Sequence, residues 1–434
     1  MAALARTGAS DAVDGAVRVP GDKSISHRAL MFSAFAAGTS RVRGILQSDD
    51  VHATARVLRA LGWSVPEVAA QMTIAGGGLV SGLRAPRAGL DCGNSGTTTR
   101  LMAGVAAAQP FASTFEGDAS LSRRPMRRVA APLEAMGARV DFLEGRDGLP
   151  MTVHGGALRS VSWELPVASA QLKSAILLAG LCGGVSVRVR EPAATRDHTE
   201  RMLAARGVSV ESVGEWVSLQ PTDRLVARDV DVPGDPSSAA FFVARALLAG
   251  EGSLRVERVL HSPYRDGFLR VVQRMGARID MHRDAGDAPD APDALVDLVV
   301  HGGTRLRAVQ VGRDDVTAMI DEIPMLAVLA ARAEGTTEVR GAEELRVKES
   351  DRIAAVVSNL RAIGVTAHEL PDGLVVEGTD APLEGHVLAH ADHRIAMAFG
   401  VLGATRDCRI TLDDPACVSV SYPDFWAELQ RVAR

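Results

Sequence analysis

Read as hydrophobic and polar positions, the chain repeats itself. Six stretches open on small or polar residues, run into an Ala/Leu-rich segment and close near a Gly or Pro, at residues 21–38, 93–110, 168–184, 234–250, 318–335 and 391–403. Their starts lie 72, 75, 66, 84 and 73 residues apart. Apolar character on every side of a helical period predicts buried helices, each with a capping or Gly-rich start. A short β-branched run comes next, as in SRVRGI, VSVRVR, SLRVERV, TTEVRG and CRITL, and then a charged loop and an amphipathic second helix. Five of those second helices reach a Gly and a predicted strand: RALGWSV, EAMGARV, AARGVSV, QRMGARI and RAIGVTA. A hairpin strand follows in LPMTVHGG, VDLVVHGG and GLVVEG. The unit therefore reads strand–helix–strand–helix–strand–strand, six times over. Its sixth copy stops after the helix in SYPDFWAELQRVAR, so its missing strands are expected from residues 1–20, which contain GAVRVP. The longest interval holds RDAGDAPDAPDALVD, a Pro/Asp-rich stretch expected to be a surface insertion.

The grouping of the copies is also visible. VPGD stands at residues 19–22 and again at 232–235, a shift of 213 residues that spans three copies. This predicts an α/β fold of two similar domains, residues 21–233 and residues 1–20 plus 234–434, each of three βαβαββ units. If the copies pack alike, the starts of the buried helices face one way, into a cleft between the domains.

Composition narrows the function. The chain has 434 residues and a formal net charge of −5, which argues against a nucleic-acid or polyanion binder. No apolar run reaches the ~18–20 residues of a membrane span, and MAALARTGASDAVDG lacks the apolar stretch of a secretory signal. Cys92, Cys182, Cys408 and Cys417 are scattered without CxxC spacing, so neither a disulfide framework nor a zinc site is expected. A soluble, cytoplasmic monomer without metal or cofactor is the expectation. Of 48 basic residues only three are lysines: Lys23, Lys173 and Lys348. Lysine offers a compact ammonium that can pass a proton, which Arg cannot. Lys23 in GDKSISHR and Lys348 in ELRVKESDR stand among other polar residues and are site candidates, whereas Lys173 is left open.

The remaining candidates gather at the helix starts, where free N–H groups and the positive dipole end suit anions. They are Ser24 and Arg28, Asn94 to Gly96 and Arg100, Ser169 and Gln171, Asp321, and His393 and Arg394. Charged loops add Arg124, Arg196, Glu349 and Arg352. Any one of these clusters alone has the bland alternative of a helix cap or a solvated helix entrance. Their recurrence at equivalent positions points instead to two small anionic substrates and proton transfer. There is no GxxxxGK[ST], no dinucleotide GxGxxG after a strand and no HExxH, so nucleotide, hydride and zinc chemistry lack support.

At these residues the chain resembles the enolpyruvyl transferase family, and within it the members that act on shikimate 3-phosphate. The motifs GDKSISHRAL, GNSGTTTRL, GDASLSRRPM, SAQLKSAILLAGL, TRDHTERML, PGDPSSAAFF, DEIP, ELRVKESDRI and DHRIAMA follow the family order over nearly the whole chain. The resemblance implies two domains in an inverse α/β barrel-like arrangement that close over a cleft when shikimate 3-phosphate binds. It also implies addition–elimination through a tetrahedral intermediate, in which the enolpyruvyl group of phosphoenolpyruvate passes to the 5-hydroxyl of shikimate 3-phosphate. Carried over by position, Lys23, Gly96, Arg124, Gln171, Arg352 and Arg394 would hold phosphoenolpyruvate. Lys23, Ser24, Arg28, Ser169, Ala170 through its backbone, Gln171, Arg196, Asp321 and Lys348 would hold shikimate 3-phosphate. Asn94, Arg100 and His393 would support them. Asp321 would take the hydroxyl proton, and Glu349 with Lys23 would move the methylene proton.

Two departures stand out. Some members carry a lysine near the C-terminus, where this chain has Val420, and Thr195 stands where many have Ser. The sister branch acting on a UDP-amino sugar places a reactive Cys in the loop matching FEGDASLSRRP, and no Cys lies between Cys92 and Cys182. A catalytically inactive anion binder would gain nothing from Asp321 and Glu349 among its cations.

Overall fold

The computed structural model describes residues 11–79, 83–143, 145–283 and 294–433. Most of the Pro/Asp-rich insertion, residues 284–293, lies outside them, as do residues 1–10. Helices alternate with short sheets, as the α/β reading expects. The chain divides into two compact units, one of Gly21–Val232 and one made of the residues up to Pro20 with Pro233–Arg434.

The six apolar stretches form the helices Lys23–Phe35, Gly96–Ala107, Ala170–Gly183, Pro236–Leu247, Ile323–Ala330 and His393–Gly403, buried over nearly their whole circumference. Five start on a side-chain cap. Asp22, Ser95, Ser169, Asp235 and Asp392 accept first-turn N–H groups from Ile25, Thr98, Leu172, Ser237 and Arg394. The exception is the helix expected from residue 318. There the chain makes a helix Arg313–Met319, a three-ten turn Ile320–Glu322, and only then the buried helix Ile323–Ala330. Pro324 is the reason: it lacks an N–H and is tolerated only in a first turn, so a new helix must begin just before it. This places Asp321 and Glu322 at a helix entrance. Gly104 lets the helices Gly96–Ala107 and Ala170–Gly183 meet, because a Cβ there would run into the Ala175 carbonyl.

In the Gly21–Val232 unit two sheets share one design. Ala112–Glu116 pairs in parallel with Leu90–Asp91 and antiparallel with Met151–His154, which in turn pairs with Arg139–Phe142. Val187–Arg190 does the same with Val161–Glu164, Trp216–Leu219 and Val210–Val213. The third sheet joins Ala37–Arg43 to Gln71–Gly77 and takes its parallel partner, Val230–Asp231, from the far end of the unit. RALGWSV does not reach a strand, contrary to its pattern: residues 62–70 are irregular. Pro66 has no N–H for a ladder, and Trp63 is drawn inward, with its ring 4.7 Å from that of Phe35 and Nε1 donating to the Gly78 carbonyl at 3.1 Å.

The other unit repeats the scheme with one exchange. Ala12–Val13 and Ala16–Val17 pair in parallel with Glu251–His261, whose other side pairs with Ala294–His301. Thr336–Val339 likewise takes Gln310–Val311 in parallel and Gly373–Glu377 antiparallel. The sixth sheet stays two-stranded, Leu383–Val387 with Cys408–Leu412. The N-terminal strands thus serve the fourth copy and not, as expected, the sixth. Val230–Asp231, next before the fourth buried helix, is committed to Ala37–Arg43, which leaves the edge of Glu251–His261 open for residues 12–17. The sixth copy meets the N-terminal segment through a bridge from Val13 to Ala433, an Arg431 contact to the Ala16 carbonyl at 2.8 Å and an Arg406–Asp11 ion pair at 3.6 Å. Its closing helix, Phe425–Arg431, sets Phe425 edge-on against Phe241 and Phe242 in the core.

Candidate active site

In the Gly21–Val232 unit the helix starts bring most of the expected residues together. Ser95 caps Gly96–Ala107, and Gly96 lies against two guanidinium groups: a Cβ there would stand 2.7 Å from Arg100 Nη1 and 3.3 Å from Arg124 Nη1. Arg124 is buried and donates to Asn94 Oδ1 at 2.6 Å, while Asn94 Nδ2 donates to Asp118 at 2.7 Å. Arg100 donates to Gln171 Oε1 at 2.9 Å, and Gln171 Nε2 donates to Thr97 at 3.0 Å. Two cations around a residue with no side chain make a cradle for a small anion.

Lys23 and Arg28 leave the helix Lys23–Phe35 five residues apart. Lys23 Nζ lies 3.0 Å from Asp50 Oδ2, with the ammonium side chain 18% exposed. The Asp50 carbonyl accepts from Thr98 at 3.4 Å, which joins Lys23 to the Gly96 helix start. Arg28 is buried and donates to the Ser24 carbonyl at 2.9 Å, Ser174 Oγ at 2.8 Å and Thr199 Oγ1 at 2.7 Å. Burial lowers its pKa to about 10, against the pull of Glu200 and Asp22, so it remains a cation at neutral pH. Arg196, half-buried, adds positive potential beside it. Ser169 caps the next helix, and the Ala170 carbonyl accepts from Ser174 at 2.6 Å. His27 Nδ1 lies 2.6 Å from the Thr54 hydroxyl. Burial first, and then Lys23 and Arg28, hold its pKa well below the ordinary value, so it is neutral.

In the other unit one guanidinium organises the chemistry. Arg352 is 1% exposed and touches three carboxylates: Glu349 Oε2 at 2.6 Å, Asp321 Oδ1 at 3.3 Å and Asp392 Oδ2 at 2.8 Å. Burial alone would lower its pKa, but Asp392 and Glu349 outweigh that and raise it. Lys348 Nζ shares Asp321 Oδ1 at 3.3 Å. Arg394 donates to the Asp321 carbonyl at 3.0 Å. His393 is buried in the first turn of its helix. The two carboxylates expected to move protons, Asp321 and Glu349, are therefore both positioned by Arg352, with the ammonium of Lys348 beside the first.

Three residues were overlooked in the sequence. Asp50 is the partner of Lys23, Asp392 is the fully buried partner of Arg352, and Glu322 bonds Ser237 and lies 3.8 Å from Arg394. A signal existed for one: Asp392 occupies the same cap position as Asp22 and Asp235. Lys173 stands outside the site, buried between Glu191 and Glu200. Val420 closes the three-ten turn Pro415–Val420, half-buried and without a polar group to offer. Cys92, Cys182 and Cys417 have thiols pushed up to about 12 by burial, which keeps them protonated at neutral pH. Among the described residues no group of three or more His, Cys, Asp or Glu is arranged to hold a metal ion, and no helix is long and apolar enough to cross a membrane.

Residues 8–429 match the family model described as EPSP synthase (3-phosphoshikimate 1-carboxyvinyltransferase). The chain is 45% identical over 426 residues to the 3-phosphoshikimate 1-carboxyvinyltransferase of Aquifex aeolicus, covering 97% of each protein. It is 41% identical over 425 residues to that of Bacillus thuringiensis, covering 98% of each. Among solved structures, an EPSP synthase from Acinetobacter baumannii matches with a TM-score of 0.82 and 40% identity, over 97% of this chain and 96% of that one. The enolpyruvyl transferase NikO from Streptomyces tendae shares the fold, with a TM-score of 0.74 at 18% identity over 98% of this chain and 95% of that one.

Proposed function

This chain belongs to the EPSP synthase family, and on that premise we propose which of its residues carry the reaction. The reaction is transfer of the enolpyruvyl group of phosphoenolpyruvate to the 5-hydroxyl of shikimate 3-phosphate with release of phosphate, in the shikimate pathway. Both substrates are anionic, which suits the cation-rich helix starts.

Gly96, Arg124, Gln171, Arg352 and Arg394 hold phosphoenolpyruvate together with Lys23, and Arg100 and Asn94 keep the cradle in shape. Ser24, Arg28, Ser169, the Ala170 backbone, Gln171, Arg196 and Lys348 hold shikimate 3-phosphate. Asp321 takes the 5-hydroxyl proton as the oxygen attacks C2 of phosphoenolpyruvate. Glu349 and Lys23 deliver a proton to the methylene carbon, giving a tetrahedral intermediate with a methyl group. Removal of a methyl proton and departure of phosphate restore the double bond. The observation that carries this reading is the contact of one buried guanidinium, Arg352, with both Asp321 and Glu349. Proton transfers of this kind contribute about 10²–10⁴-fold each.

The test is phosphate release on mixing both substrates, with and without EDTA. Phosphate should appear only with both present, at the same rate in chelator. Asp321→Asn and Glu349→Gln should each lower turnover by about 10²-fold or more. In heavy water the parent should place deuterium in the product methylene, because any of the three methyl protons can leave, and Glu349→Gln should slow that incorporation. Turnover of either variant within a few-fold of the parent would remove that residue from the mechanism. The same proposal takes the two units as homologous three-copy domains, and the protein as a cytoplasmic monomer that binds no nucleic acid. Sedimentation in the presence and absence of DNA checks the last two points.

A further inference from the structure

Lys173 is the one lysine the reaction does not use, in a chain that writes its other structural cations as Arg. Its ammonium is 1% exposed and lies 2.7 Å from Glu191 Oε2 and 2.6 Å from Glu200 Oε1. Burial pulls the ammonium toward neutrality, but Glu200 and Glu191 prevail and raise its pKa, so it is charged. Glu191 also accepts from the Thr195 hydroxyl. The residues next in sequence repeat the arrangement one step along. Ser174 follows Lys173 and Thr199 precedes Glu200; their hydroxyls lie 2.7 Å apart and both receive Arg28. The helices Ala170–Gly183 and His198–Ala204 are thus joined twice, once by the ion triad and once through Arg28.

Stability alone does not account for such a triad. Removing three charges from water costs several kcal/mol, and a well-packed apolar trio commonly serves as well or better. What an ion triad adds is geometry, because charged hydrogen bonds tolerate little displacement. An ammonium suits this position because it is compact and can donate to two carboxylates at once, whereas a planar guanidinium needs more room.

We propose that Lys173, Glu191 and Glu200 are positioning residues for shikimate 3-phosphate: they set the helix His198–Ala204 and residues 195–197 against the helix Ala170–Gly183, and so set where Arg28 and Arg196 present their cations. This rests on the assignment of Arg28 and Arg196 to that substrate.

The test combines steady-state kinetics, calorimetric binding of shikimate 3-phosphate and thermal unfolding for Lys173→Met, Glu200→Gln and Thr195→Val. A misplaced clamp of this kind costs on the order of tenfold or more. Kd and KM for shikimate 3-phosphate should rise by at least about tenfold in Glu200→Gln and about threefold in Thr195→Val, with KM for phosphoenolpyruvate within about twofold of the parent. Thr195→Ser, which keeps the hydroxyl, should behave as the parent. If Lys173→Met does not fold, Glu200→Gln and Thr195→Val decide. Variants that lose thermal stability yet bind shikimate 3-phosphate as the parent does would overturn the proposal. Arg28→Met separates the two levels. If it too binds like the parent, the substrate assignment is wrong; if it alone is impaired, only the triad is.

Discussion

Replacing Asp392 by Asn removes one charge and exchanges one accepting oxygen for a donating amide nitrogen. Asp392 is fully buried and accepts from Arg352 Nε at 2.8 Å, Arg352 Nη2 at 3.2 Å, Ser350 at 3.0 Å and the Arg394 N–H at 3.0 Å. Asn matches it in volume and caps a helix as well as Asp does, but its amide nitrogen must face one of these donors, so the loss covers the ion pair and the hydrogen bonds accepted at one oxygen. Breaking a buried pair outright costs about 3–5 kcal/mol. Arg352 keeps Glu349 at 2.6 Å and Asp321 at 3.3 Å, which holds the loss near the lower end, about 3 kcal/mol. For a unit of this size each kcal/mol is about 2–4 °C, so melting at pH 7 should fall by about 6–12 °C. The pH dependence is a second readout. Burial pushes the Asp392 carboxyl up, but Arg352 prevails and leaves it below the ordinary 3.8. The unfolded chain therefore takes up the proton first as pH falls. The stabilisation is complete well above 3.8 and is lost as pH drops through the native value. The gap between parent and Asp392→Asn should be constant from about pH 5 to 8 and close below about pH 4. Calorimetric melting across that range decides. A melting temperature within about 2 °C of the parent at pH 7, or a gap that changes between about pH 5 and 8, would refute the reasoning.

Three further outcomes follow from the same geometry. Lys23→Arg keeps the charge facing Asp50 but cannot pass a proton, so turnover should fall by at least ~10²-fold with the fold intact; kinetics within a few-fold of the parent would leave Lys23 an anion clamp only. Gly96→Ala puts a Cβ 2.7 Å from Arg100 Nη1, and the flexible guanidinium must swing off Gln171. Losing a charged hydrogen bond should raise KM for phosphoenolpyruvate about tenfold, whereas an unchanged KM would show that Arg100 yields without consequence. His27, held neutral by burial and by Lys23 and Arg28, makes the protein lose stability as pH falls below 6.5, by up to about 1.4 kcal/mol per pH unit. Urea unfolding of His27→Gln should show a shallower slope between about pH 6.5 and 5, and an equal slope would contradict the assignment.

Much of the fold was legible before any coordinates. Hydrophobic period, caps and the Gly that ends five of the second helices are local properties, decided by residues within a turn or two of one another. Gly62 and Gly137 end their helices in the left-handed region, where only glycine sits without strain. Residue types at the helix starts were legible for the same reason, since a cap and an anion-binding turn are built from adjacent residues. RALGWSV shows the limit: its pattern matches its siblings, yet Pro66 and the inward pull of Trp63 on Phe35 leave no strand.

What the tertiary structure alone decided depends on partners far apart in the chain. Arg28 finds Thr199 across 171 residues, and Arg352 finds Asp392 across 40. Lys173 proved a buried structural cation only once Glu191 and Glu200 were seen on either side of it. The exchange of edge strands, with residues 230–231 in the first copy's sheet and residues 12–17 in the fourth's, is likewise invisible to local pattern. An edge strand's sequence records that it will pair, but which edge stands open is settled by how the whole unit closes its hydrogen bonds and buries its apolar faces. The sequence by itself determined the six repeats, their buried helices and the kinds of side chain at each helix start; the packing of those helices determined which of these side chains meet.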